Sequence, residues 1–257
     1  MRELNENGVN LERIKGNEEP RSKYFIIPEG DKTEIQYFSG IKSNREDLNI
    51  KSLIEIKILE NDENEQGQSH PMRKIDNFMK SVKKGEINYS KDIDKVIFVI
   101  DRDPQNFSKK QLQEFVKRCN DNGYRTCLSN PTFEIFLLMH DDRIFDLDRK
   151  EMLENRRETK RSKRFLEKKL SEFFECSKTN LNFEKFKYNI KKAIKNEKCF
   201  CEELEDLENK LGSNVGRLLD SMIEEWISNY IKKKSRQMLI NIERINKDLS
   251  IFYEFNY

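Results

Sequence analysis

The stretch Lys23–Phe38, KYFIIPEGDKTEIQYF, decides how the chain is read. Four apolar residues, Tyr24–Ile27, run straight into Pro28-Glu29-Gly30-Asp31-Lys32. Such a run reads as a short buried strand that ends in an acidic turn. Beyond the turn, Ile35, Phe38 and Ile41 have helical spacing. The same alternation then recurs. Leu53, Ile54, Ile56 and Ile58 favour a second strand, and the polar run 61–71 reads as a loop. Pro71 opens a helix that Gly85 ends. Val96–Ile100 is the most continuous apolar run of the first half, as expected of a central parallel strand. Ser108 caps a helix that stops at Gly123. YRTCLSN (124–130) is a further strand, and Pro131 leads into the short apolar helix TFEIFLLMH (132–140). Strands alternating with helices predict an α/β fold, a mostly parallel sheet flanked by helices.

After residue 148 the pattern becomes helical and highly charged. Residues 149–178 read as charged and helical, with an apolar stripe of Phe165, Leu166, Leu170, Phe173 and Phe174, and further helices are expected through Ile194, from Leu204 to Leu211, and over 215–231 and 236–255. Gly212-Ser213 reads as a helix end and a new start. The predicted organisation is a flexible lead-in over 1–21, an α/β domain over 22–148 and an α-helical C-terminal half over 149–257.

Charged residues make up 37% of the 257 positions, yet the formal net charge is only +2. That balance excludes a uniformly basic binder, so contact with nucleic acid requires a local patch. The best one is RRETKRSKRFLEKK (156–169), with Arg156, Arg157, Lys160, Arg161, Lys163 and Arg164. Its nearby glutamates make a solvated helical face the competing reading. No apolar run approaches the roughly 20 residues of a membrane span. The polar first residues lack the apolar segment of a signal peptide, so a cytoplasmic address is expected, with no membrane partner. Five cysteines without framework spacing are expected to be free thiols.

Three acids stand where chemistry is expected. Glu29 follows the first strand, and Asp101 and Asp103 follow the strongest one. Groups just beyond the C-terminal ends of neighbouring parallel strands converge on one crevice. In extended chain an Asp-x-Asp pair points both carboxylates the same way, because side chains alternate with period two. Three carboxylates on one rim form a hard oxygen site suited to Mg²⁺ or Mn²⁺. Each pattern alone is also ordinary turn or cap chemistry. Secondary candidates are Lys32 for a phosphate, Glu34 beside the rim, and Asn130 with Glu134, an acid inside an apolar helix start. Competing roles are a solvated lysine, a helix-dipole partner for Glu34 and a stabiliser of its own helix for Glu134. Arg102, between the aspartates, is expected to point away from them. His140 is expected at a helix end and not in catalysis.

In this order, EGDKTEIQYF (Glu29–Phe38), VIDRD (Val99–Asp103) and SNPTFEIFLLMH (Ser129–His140) resemble the RloB-like family, which has a TOPRIM-like (topoisomerase–primase) domain and includes abortive-infection proteins of the AbiLii type. The likeness covers about residues 22–140. Further on it rests on AIKNEK (193–198) and SNVGRLLDSM (213–222). The chain departs from the pattern at Pro28, Thr132 and Asp141. The resemblance implies a TOPRIM-like sheet, Glu29, Asp101 and Asp103 as the Mg²⁺-binding and catalytic set, and phosphodiester hydrolysis of DNA or RNA, including tRNA, in anti-phage defence. It also implies a partner ATPase encoded beside it, and the helical half offers surface for a homodimer. The reading from another class is a non-catalytic nucleic-acid-binding or regulatory subunit.

Overall fold

The computed structural model describes residues 22–30, 32–50, 71–103 and 107–223, the backbone of 53–56, and positions 234, 235 and 238. The expected lead-in over 1–21, most of the loop over 61–71 and the helix expected over 236–255 lie outside the described residues, apart from Pro71 and Met238.

Strands and helices alternate as β1 (Lys23–Pro28), α1 (Thr33–Ser43), β2 (Leu53–Ile56), α2 (Pro71–Lys83), β3 (Lys95–Asp101), α3 (Lys109–Asp121), β4 (Arg125–Asn130) and α4 (Glu134–Leu138). The local signals act as their chemistry dictates. Ser108 accepts from the Gln111 N–H while the Gln111 side chain accepts from the Ser108 N–H, a closed capping box. Gly123, with φ +73°, ends the same helix in a conformation that a Cβ disfavours.

The sheet order is β2-β1-β3-β4, all parallel, with a two-residue antiparallel strand β5 (Gly212–Ser213) on the β4 edge. Alternate residues of each strand enter opposite layers. Phe25, Ile27, Val96, Phe98 and Ile100 pack with Ile75 and Phe78 of α2 and Leu112 and Phe115 of α3. Tyr24, Ile26, Ile97 and Val99 pack on the other face, with α1, α4 and the C-terminal helices. Both faces are covered, which is why β3 reads as an unbroken apolar run. The chain is thus an α/β protein with a mostly parallel sheet flanked by helices.

The C-terminal half adds α5 (Arg149–Glu154), α6 (Phe165–Phe174), α7 (Glu184–Lys187), α8 (Ile190–Glu197) and α9 (Leu204–Leu207) to this core. Three expectations need correction. The segment read as helical across 149–178 is helical only over α5 and α6, because Asn155 adopts a left-handed conformation (φ 43°) and residues 155–164 form a loop closed by an antiparallel bridge between Arg157 and Arg164. The helix expected from Leu204 to Leu211 stops at Leu207. Gly212-Ser213 is a strand and not simply a helix boundary: a Cβ at Gly212 would lie 1.9 Å from the Cys201 carbonyl oxygen.

This edge is anchored by the segments AIKNEK and SNVGRLLDSM. Glu197, fully buried, accepts from the N–H groups of Gly216 and Arg217, both at 2.8 Å, at the start of the helical residues 215–223. A carboxylate there meets unpaired N–H groups and the positive end of the helix dipole. Burial nevertheless pushes its pKa up to about 8. Asn214 accepts from the Leu128 N–H at 2.8 Å, so its side chain extends the sheet beyond β4.

His140 is buried at the end of the α4 segment. Its Nδ1 meets the carbonyls of Phe136 and Leu137, and its Nε2 is 3.0 Å from the Tyr37 hydroxyl. Burial lowers its pKa to about 4, so it is neutral, with Nδ1–H donating and Nε2 accepting. All five cysteines are free, and among the described residues no helix is long and apolar enough to cross a membrane.

Candidate active site

From β1 the chain moves outward to β2 and then returns to the other side of β1 for β3. The C-terminal ends of β1 and β3 therefore flank the point where the strand order reverses, the place where open α/β sheets form a crevice. Pro28 pairs with Val99, and the Glu29 N–H donates to the Val99 carbonyl at 2.8 Å. That register sets Glu29 beside Asp101, whose N–H donates to Glu29 Oε2 at 2.9 Å. Asp101 continues the face of Ile97 and Val99, and its Oδ1 accepts from the Phe133 N–H at 2.8 Å. Glu134 follows at the start of α4, and Glu34 lies on the buried side of α1 with Tyr37, Phe38 and Ile41.

Four acids thus gather under partial or full burial. Asp101 keeps some exposed surface, but its carboxyl end is enclosed. Burial raises its pKa well above the usual range, and Glu34, Glu134 and Glu29 add to the rise. Burial raises Glu29 to about 7. The Asp101 amide and Lys74 oppose that rise, while Glu34 and Asp103 add to it. Burial, and then Glu134, also raises Glu34. Gly30 gives Glu34 its place, since a Cβ there would lie 2.7 Å from Glu34 Oε2.

Lys74 is a residue that the sequence reading missed. It is buried, and its Nζ donates to the carbonyls of Pro28 at 2.5 Å and Glu29 at 2.6 Å. It therefore fixes the tip of β1 and places one positive charge beneath the acids. It stands on the buried side of α2 with Pro71, Ile75 and Phe78.

The remaining candidates fall into two groups. Asp103 is near enough to Glu29 for its charge to add to the rise there, and Arg164 approaches its Oδ2 at 4.0 Å. The Lys32 side chain is exposed and caps nothing at the start of α1. Asn130 is buried, with its amide on the Leu207 carbonyl, and its peptide bond to Pro131 is cis. Arg102 takes the opposite face from Asp101, as expected, and donates to the carbonyls of Phe107 and Glu208. Thr132 accepts from the Asn155 amide, and Asp141 caps the 3₁₀ turn Asp142–Asp146. Arg156, Arg157, Lys160, Arg161, Lys163 and Arg164 lie on the loop between α5 and α6, whose inner end Arg164 brings next to Asp103.

The gathered side chains offer oxygen donors only, and several acids share one poorly hydrated rim. Both properties suit a hard divalent cation. Among the described residues no group of three or more His, Cys, Asp or Glu side chains is placed so that it could hold a metal ion. Mg²⁺ is commonly bound through one or two carboxylates and retained waters, so a group of three carboxylates is not a requirement for it.

Among curated proteins and among solved structures nothing matches. The family described as RloB-like protein matches residues 24–222, from β1 to the helical residues after β5, and so takes in the acidic rim, the basic loop and the Glu197 anchor. The chain belongs to the RloB-like family.

Proposed function

We propose that the chain is a TOPRIM-type, Mg²⁺-dependent nuclease that hydrolyses phosphodiesters of DNA or RNA. One observation carries the reading: the strand-order reversal brings Glu29 and Asp101 into contact, with Glu34, Glu134 and Asp103 beside them. Maintaining such a cluster is unfavourable without a countercharge. Asp101 and Asp103 would hold the cation, with Glu29 sharing it or acting as a base. The bound cation would stabilise negative charge on the phosphoryl oxygens. The protein's own contribution is placement. The Phe133 N–H orients Asp101, and Lys74 holds the backbone under Glu29. With a pKa of about 7, Glu29 is suited to take a proton near neutrality. The biological role that fits is an abortive-infection effector of the AbiLii type, held in check or released by a partner ATPase.

Wild type, Asp101→Asn and Glu29→Gln are induced in a bacterium, alone and with the neighbouring gene, and the purified proteins are incubated with plasmid DNA or tRNA in Mg²⁺ or EDTA. Cleavage of one substrate by wild type in Mg²⁺ alone, reduced at least ~100-fold in both variants, is expected. Equal behaviour of all three proteins would leave the acids a structural or regulatory role.

A further inference from the structure

The rim repels a phosphodiester unless cations receive it. The loop between α5 and α6 has six basic residues in 156–164 and one acid, Glu158, which pairs with Lys168 at 3.0 Å. The loop is a built turn. Arg157 and Arg164 bridge its base, and Thr159 and Ser162 exchange hydrogen bonds across its tip, the Thr159 N–H donating to Ser162 Oγ at 2.9 Å and the Ser162 N–H to Thr159 Oγ1 at 3.2 Å. Lys160 and Arg161 form the apex, both exposed, and among the described residues no carboxylate pairs with either.

Two anchors aim this turn at the acids. Asn155 donates to Thr132 Oγ1, immediately before Phe133 and Glu134, and accepts from the Leu166 N–H at 3.0 Å. Arg164 stands 4.0 Å from Asp103. Lys178 closes the same side. It pairs with Glu167 at 2.7 Å, it feels the charge of Glu134, and its carbonyl accepts from Thr33, the residue before Glu34.

We propose that the turn 157–164 is the arm along which a nucleic-acid backbone reaches the rim, with Lys160 and Arg161 contacting phosphates and Arg164 with Lys178 positioning the phosphate beside Asp103. The inference rests on the nuclease reading and gives it a direction of substrate approach, from the α5–α6 side. Arg164 and Lys178 are positioning residues. Binding by this arm is electrostatic and salt-dependent.

The test uses the full chain carrying Asp101→Asn, so that bound nucleic acid is not cut. Fluorescently labelled duplex DNA and a labelled tRNA transcript are titrated by anisotropy over a salt series. Lys160→Gln with Arg161→Gln is expected to weaken binding of the preferred nucleic acid about ten-fold. On duplex DNA it should lower the slope of log affinity against log salt by about 2, roughly one per lost phosphate contact. Lys160→Arg with Arg161→Lys is expected to restore both. Unchanged affinity and slope in the glutamine variant overturn the proposal, as does a parent that binds neither nucleic acid at low salt. Cleavage by wild type in Mg²⁺ is scored separately. Its absence, with the arm's binding intact, sinks the hydrolytic reading and leaves the arm.

Discussion

Asp101 sits where two demands meet: its carboxylate orients the Phe133 amide, and it shares poorly hydrated space with three other acids. Asn at this position keeps an acceptor oxygen and removes the charge. Asp101→Asn is therefore expected to be as stable as wild type without added metal or up to about 1 kcal/mol more stable, with an equal or higher melting temperature, and to lose any Mg²⁺-induced rise. Thermal melts with and without Mg²⁺ check both; a strongly destabilised variant with its Mg²⁺ response intact would contradict the argument. Tyr37→Phe probes the other buried polar pair. It leaves His140 Nε2 without its hydroxyl and should cost about 1–3 kcal/mol in urea unfolding while nucleic-acid binding holds. The nearness of Glu29 and Asp101 was legible because each directly follows an apolar strand run, so that parallel strand direction brings the two strand ends together. Lys74 was not. Its partners are the carbonyls of Pro28 and Glu29, far away along the chain, and no local pattern distinguishes a buried lysine from a solvated one on an amphipathic helix.

At the level of elements, the first eight were readable from strand runs, caps and glycines, since each signal acts within a few residues. The basic segment was misread for the opposite reason. Its residues have good helix propensity, but Asn155 closes α5 in a left-handed cap, and its side chain is held between Thr132 and Leu166. A tertiary contact overrode a local preference. The α8 anchor provides a test of the same kind. A Cβ on Gly216 would stand 2.6 Å from Glu197 Oε2 and 3.2 Å from Ile194 Cα. Gly216→Ala must displace the carboxylate from two backbone N–H groups. It is expected to lower stability by about 2 kcal/mol, read as a shift of the urea midpoint. Ala at Gly85, where a Cβ meets nothing within 4 Å but φ is +75°, should cost less, about 1 kcal/mol.

The whole molecule joins an acidic rim at one sheet end to a buried glutamate on the edge-anchoring helix, and both leave a mark on stability against pH. His140 is held near 4 against an ordinary 6.5, so the unfolded chain takes up its proton first. Its contribution is complete above about pH 6.5 and is lost as pH falls towards about 4. Glu197, raised from 4.5 to about 8, and Glu29, raised from 4.5 to about 7, act in the opposite sense. The folded chain keeps their protons after the unfolded chain has released its own, so stability falls as pH rises through those windows. Between about pH 4.5 and 6.5 the histidine and the acids oppose one another. Above about 6.5 only the acids still change, and above about 7 Glu197 outlasts Glu29. The metal-free protein is therefore expected to lose stability between about pH 6.5 and 8, by at most about 1.4 kcal/mol per pH unit for each titrating group. Urea midpoints at several pH values measure the loss. Glu197→Gln should make the fall above about pH 7 shallower, leaving the share of Asp101 and Glu34, and Mg²⁺ should recover stability at about pH 8 in wild type but not in Asp101→Asn. A wild-type profile that stays level from about pH 6.5 to 8 would mean that these carboxyls are better hydrated than their burial implies, and the case for a cation at the rim would weaken with it.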